Sequence, residues 1–200
     1  THATAGVFQA GAGSTINFTN VNVDTTVGPI FDVIRSTATF TNCTMKNTAT
    51  NSYFAACIAP SNGSDVTIDG GSYEANYPVY IYNSGGSVTI KGNGTFNGHI
   101  AAVQVDRTSK ANPASAVIEN GTFTGNVVNN GYDASIEIKG GTITGKAVAQ
   151  AEKSNITISD GTITAGVSAT GNGARRCQHW QQFIDCHDRW KRKRCYGRTV

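Results

Sequence analysis

Leucine is absent from all 200 residues, and charge is scarce, with Asp, Glu, Lys and Arg making up 14% of the chain. Helical bundles and coiled coils are built on Ala, Leu, Glu and Lys, so this composition excludes them, and leucine-rich repeats with them. No apolar run approaches the roughly 18 residues of a membrane-crossing helix, so no membrane insertion is expected. Methionine occurs once and proline four times. What the chain holds instead is 25 Thr, 23 Gly and 18 Asn, residues of strands and tight turns. It begins at Thr1 rather than Met, and the expectation is a fragment or a processed product.

The formal net charge of +3 conceals a split. Residues 1–174 hold 8 Lys and Arg against 11 Asp and Glu, a balance of −3. Residues 175–200 hold 8 against 2, or +6, together with both Trp and three of the five Cys. The two stretches follow different rules and are taken separately.

One unit recurs along the first stretch: an apolar pair alternating around a polar residue, a Gly or Asn turn, a Ser or Thr, then a large apolar residue. Val66-Thr67-Ile68-Asp69-Gly70-Gly71-Ser72-Tyr73 is one copy, and Ile136-Glu137-Ile138-Lys139-Gly140-Gly141-Thr142-Ile143 is another. The second apolar residue falls at 18, 40, 68, 90, 118, 138 and 158, in steps of 22, 28, 22, 28, 20 and 20. A further short apolar stretch lies between copies, as in Pro29–Ile34, Pro78–Tyr82 and Ile100–Val105. Alternation with β-branched residues argues strand, and each unit therefore supplies three. Gly and Asn at the turns reach positive φ at low steric cost. A single unit cannot bury its apolar face, but stacked units share one core. The predicted fold is all-β: a right-handed parallel β-helix of about seven coils over residues 14–174. The strand-crossover rule sets the hand. Residues 1–13 form an N-terminal edge, and 175–200 an irregular tail.

Units such as Asn120-Gly121-Thr122-Phe123-Thr124-Gly125 and Gly140-Gly141-Thr142-Ile143-Thr144-Gly145 resemble the repeats of pectin-lyase-like β-helix proteins. More narrowly, they are similar to Gly-Gly-Thr-rich bacterial surface proteins and adhesins. The resemblance covers roughly residues 14–170. It implies secretion or display on a bacterial cell surface, and a fold shared by lyases, hydrolases, tailspikes and passive stalks alike.

Stacking assigns the small polar residues as well. Thr44, Ser72, Thr95, Thr122, Thr142 and Thr162 share a register and are expected to form a ladder along the cylinder. An array of hydroxyls facing sugar or ice is the functional alternative. Six Asn-X-Ser/Thr triplets, starting at Asn17, Asn42, Asn62, Asn93, Asn120 and Asn155, match the N-glycosylation pattern, but a turn followed by Thr generates that pattern unaided.

Three readings fit the tail. Cys177, Cys186 and Cys195 with His179 and His187 suggest zinc, yet their spacing lacks the short ligand pairs of structural zinc sites. Its Arg and Lys beside Trp180 and Trp190 would grip nucleic acid through phosphate, a partner expected only if the tail is genuine. The third reading is a one-base frameshift. Advancing the frame turns both Trp codons into Gly, and residues 186–190 can then read Val-Thr-Ile-Asp-Gly, the string already present at Val66–Gly70. One slip accounts for the Trp, Cys and basic residues together, and it is the expectation adopted.

Catalytic chemistry is thinly supplied. Lyases of the resembled fold use an acidic cluster for calcium and a basic residue, and its hydrolases use paired Asp. No two acidic residues are adjacent here. Asp32 with Arg35 and Asp106 with Arg107 fall three coils apart, roughly 14 Å at strand spacing. No catalytic residue, metal ligand or cofactor is expected, calcium entering only if the chain is a lyase fragment. The best candidate site is aromatic. If Val79 and Ile81 point inward, Tyr80 and Tyr82 point out, with Tyr77, Asn83 and Asp106 beside them, and an exposed strip of this kind holds sugar rings by stacking and hydrogen bonds. Cys43 and Cys57 suit buried thiols. The expected function is a non-catalytic stalk or adhesin module contacting a polysaccharide or cell-surface glycan. The alternative is a fragment of a polysaccharide lyase or glycoside hydrolase acting on acidic polysaccharide.

Overall fold

The structure, a computed structural model, describes residues 7–50, 55–83, 85–106, 108 and 113–171, and the backbone of 175–178. The described residues form strands and turns without a helix, and every strand pair is parallel. The chain winds as a parallel β-solenoid of about seven turns with three faces.

The first face is one eight-stranded sheet: β2 (Thr15–Thr19), β5 (Thr37–Thr41), β8 (Ser64–Asp69), β11 (Gly86–Lys91), β13 (Ser115–Ile118), β15 (Ser135–Ile138), β18 (Asn155–Ile158) and β21 (Arg175–Gln178). Its registers join Phe18 to Phe40, Ile68, Ile90, Ile118, Ile138 and Ile158 in turn. These are the positions that the repeat spacing picks out. The alternation forces the outcome: a slip of one residue would turn every apolar side chain to solvent.

The second face starts with β3 (Asn22–Thr25), β6 (Thr44–Asn47) and β9 (Ser72–Ala75). The third starts with β1 (Phe8–Ala10), β4 (Phe31–Ile34), β7 (Ala56–Ser61) and β10 (Tyr77–Ile81). In the next two coils a single strand serves both faces, β12 (Thr95–Asp106) and β14 (Thr122–Asn130). Here the structure departs from three separate strands per unit. β12 turns the corner through an irregularity in register near Ala101, where the Ile100 and Ala101 amides both donate to the Asn76 carbonyl (3.0 and 3.2 Å). A bulge bends a strand without ending its pairing. The last coils return to short strands, β16 (Thr142–Ile143) with β17 (Ala147–Ala149), then β19 (Thr162–Ile163) with β20 (Val167–Ala169).

The core fills the cylinder. On the second face the inward column is Val23, Met45, Tyr73, Phe96, Phe123, Ile143 and Ile163. Its rings stack face to face, Tyr73 on Phe96 at 5.0 Å and Phe96 on Phe123 at 4.8 Å. Strand spacing of about 4.8 Å sets that distance, so parallel coils stack identical side chains without effort. Turn residues obey the same register. Gly71, at φ +95°, lies against the Cys43 backbone, where a Cβ would strike the Cys43 carbonyl oxygen.

Pairing extends past both expected limits of the repeat domain. β1 joins β4 before residue 14, and β21 joins β18 after residue 174, Arg175 facing Asn155 and Gln178 facing Ile158. The tail therefore opens with a strand, which its irregular composition hides. Residues 179–200, and with them the zinc and nucleic-acid readings, lie outside the described residues.

Candidate functional site

The third face carries the aromatic candidates on its outer side. Val79 and Ile81 point into the cylinder and are fully buried, so alternation turns Tyr80 and Tyr82 outward. They are not exposed, however. Tyr77, Tyr80 and Tyr82 retain 8%, 2% and 9% of their accessible surface and form a second apolar cluster with Ala56, Ala59, Ala101 and Val128. The expected exposed strip is corrected on this point. Outward placement does not guarantee exposure, because the rings cover one another and lie down on small neighbours. Tyr77 packs on Tyr80 at 4.9 Å, and Tyr80 stacks on Tyr82 at 5.8 Å and 10°.

Each of the two outer tyrosines ends on a carboxylate. Tyr80 Oη donates to Asp106 Oδ2 at 2.9 Å, and Asn130 Nδ2 donates to Asp106 Oδ1 at 3.0 Å. Tyr82 Oη donates to Asp32 Oδ1 at 3.2 Å. The second bond runs back two coils. It is possible because β7, lying between, presents only Ala59 and Ser61 under the ring, Ala59 opposite Asp32 and Ser61 bridging to Tyr82. Asp32 and Asp106 are both buried and sit three strands apart, as the spacing predicts, so each carboxylate serves its own tyrosine.

The electrostatics follow from burial. Loss of water raises the Asp32 carboxyl above the usual carboxylate range, against the opposing pull of donors from Tyr82 and Gln9. Burial and the neighbouring Asp32 push the Tyr82 phenol up to about 12. Among the described residues Asp32 has no cationic partner.

Asn83 closes the strand in the left-handed region, at φ +45°, and is exposed. Of the five candidates it alone is exposed; Tyr77, Tyr80, Tyr82 and Asp106 are buried. Gln9 and Asn130 are also exposed, Gln9 three strands from Tyr80 on one side and Asn130 on the other, beside Asp106. Gln9, Asp32, Ser61 and Asn130 were not singled out with the tyrosines, and register arithmetic brings Gln9, Asp32, Ala59 and Tyr80 into one row. Arg107 lies outside the described residues.

The hydroxyl ladder forms as expected. Thr44, Ser72, Thr95, Thr122, Thr142 and Thr162 pair in succession and all are exposed, with Thr95 Oγ1 donating to Ser72 Oγ at 3.2 Å. Ion pairs such as Lys46–Glu74 (3.1 Å) and Lys139–Glu137 (3.2 Å) lie at the surface and contribute little. Among the described residues no group of three His, Cys, Asp or Glu is arranged to hold a metal ion. Cys43 and Cys57 are free and buried.

The fold defines the class: a parallel β-solenoid. Comparison with protein-family models, curated proteins and solved structures finds no match to this chain.

Proposed function

We propose that the chain is a non-catalytic repeat module of a secreted or cell-surface bacterial protein, a stalk or adhesive spacer of the pectin-lyase-like, Gly-Gly-Thr-rich type. The observation that supports it most is the hydroxyl column from Thr44 to Thr162, one exposed Ser or Thr in each of six successive coils, with Asn22 at the same place in the first. A spacer repeats one surface along its length, whereas a catalytic module concentrates different residues at one level. Seven coils at strand spacing extend roughly 34 Å.

Glycan contact belongs on the exposed amides of the third face. Tyr80 and Tyr82 are too buried to stack on a sugar, but Asn83, next to Tyr82, and Asn130, beside Asp106, are exposed amides. The test is a glycan array with the wild-type module and with Asn83→Ala combined with Asn130→Ala. Binding that the double variant loses supports the contact, and binding that it keeps removes it. A calcium-dependent rise in unsaturated-uronate absorbance on pectin would overturn the non-catalytic reading in favour of a lyase.

A further inference from the structure

We infer that Asp32, Tyr82 and Gln9 form a proton-sensitive staple that holds the first coil of the solenoid closed in mild acid and loosens it toward neutral pH. The geometry is specific. Asp32 is 2% exposed, on β4, next to the edge strand β1. Gln9 reaches it from β1, and Tyr82 donates to it at 3.2 Å from the end of β10. Among the described residues β1 has no strand on its other side, so this edge is where local opening costs least.

The described groups around the carboxyl are few. β1 supplies Gln9 opposite Asp32, and β7 supplies Ala59 opposite it, with Ser61 two residues on. None of these titrates. Tyr82 titrates only far above neutrality. On its own element the nearest charge is Arg35, exposed and just beyond β4. Asp106 is three strands away and engaged by Tyr80 and Asn130. Among the described residues, two neutral donors thus face a buried negative charge with no cation against it. Burial outweighs them and raises the carboxyl above the usual carboxylate range.

The sign follows. A folded-state pKa above the unfolded one means that the closed coil binds the proton more tightly than the open coil. Below the unfolded value closure carries no penalty. The penalty grows as pH rises through the folded value and is complete above it. Protonated Asp32 keeps both contacts without a buried charge; ionised Asp32 keeps them at the cost of desolvation. The first coil is therefore tightest in acid.

Amide hydrogen exchange tests this, with protection in β1 and β4 corrected for the intrinsic pH dependence and measured from about pH 4 to about pH 8. Protection in these strands is expected to fall several-fold across the range, while β13 and β15, remote from the staple, stay level. Asp32→Asn, which cannot ionise, should abolish the fall, and Tyr82→Phe, which removes a donor to the ionised form, should deepen it. Wild-type protection that stays level or rises, or a fall that Asp32→Asn retains, overturns the proposal. Should Asp32→Asn fail to fold, carbon-detected titration of the wild-type Asp32 carboxyl decides: a midpoint at or below the ordinary carboxylate range also overturns it.

Discussion

Tyr82 hands its phenolic hydrogen to Asp32 across fifty residues of chain, an oxygen-to-oxygen distance of 3.2 Å. The contact crosses the middle coil diagonally, over Ala59 and Ser61, and ties three consecutive turns together on the outside of the cylinder. Removing the hydroxyl leaves a buried carboxylate one donor short, a loss that costs about 1–3 kcal/mol. Tyr82→Phe should lower the unfolding free energy by that amount at neutral pH, seen as a lower urea midpoint with the slope unchanged. No change in midpoint would show that the bond is dispensable.

Tyr73 presents the opposite case. Its ring belongs to the stack with Phe96, but its hydroxyl is buried and has no hydrogen-bond partner among the described residues. Burial raises the phenol far above its usual range, with Cys43, Cys57 and Asp69 adding to the rise. Tyr73→Phe keeps the ring and removes the unsatisfied group, so stability should hold or rise by about 1 kcal/mol. Thermal unfolding measures it, and a fall of that size would reveal a partner for the hydroxyl.

Gly71 pairs a backbone in the left-handed region with contact against the Cys43 carbonyl. Gly71→Ala meets both obstacles at once, and a loss upward of about 2 kcal/mol is expected. Gly63, also at positive φ but with open space around it, provides the control. Gly63→Ala should cost about 1 kcal/mol, from backbone strain alone. Chemical denaturation of both variants gives the comparison directly.

Cys43 and Cys57 are each fully buried, and burial pushes the Cys57 thiol well above its ordinary range. Their sulfurs turn to backbone carbonyls, Cys43 to Phe18 and Thr41 and Cys57 to Met45 and Glu74. Only the thiolate reacts readily. Both thiols of the folded protein should resist a maleimide at neutral pH and label at once in denaturant. Mass spectrometry of peptides separates them from the tail cysteines, and rapid native labelling of either would refute the burial.

The frame of the molecule was legible because parallel stacking converts sequence period into spatial register. Ile68, Ile90, Ile118 and Ile138 occupy one column for the reason that they recur in one phase of the repeat. The hydroxyl ladder follows by the same logic. The tyrosine site was legible only in part. Period two sends Tyr80 and Tyr82 outward, but nothing in that alternation says that their rings lie on alanines and end on Asp32 and Asp106. The ends were obscure for another reason: β1 has three residues and β21 an atypical composition, and pairing with an established edge requires only backbone.

The sequence by itself determined a low-charge, leucine-free solenoid, its coil lengths, its registers and the residues that fill its core, since alternation and turn chemistry are local. Only the tertiary structure decided which outward residues meet water. Exposure and the ionisation of Asp32 depend on what successive coils bring alongside, at distances of two and three turns, and no local pattern carries that.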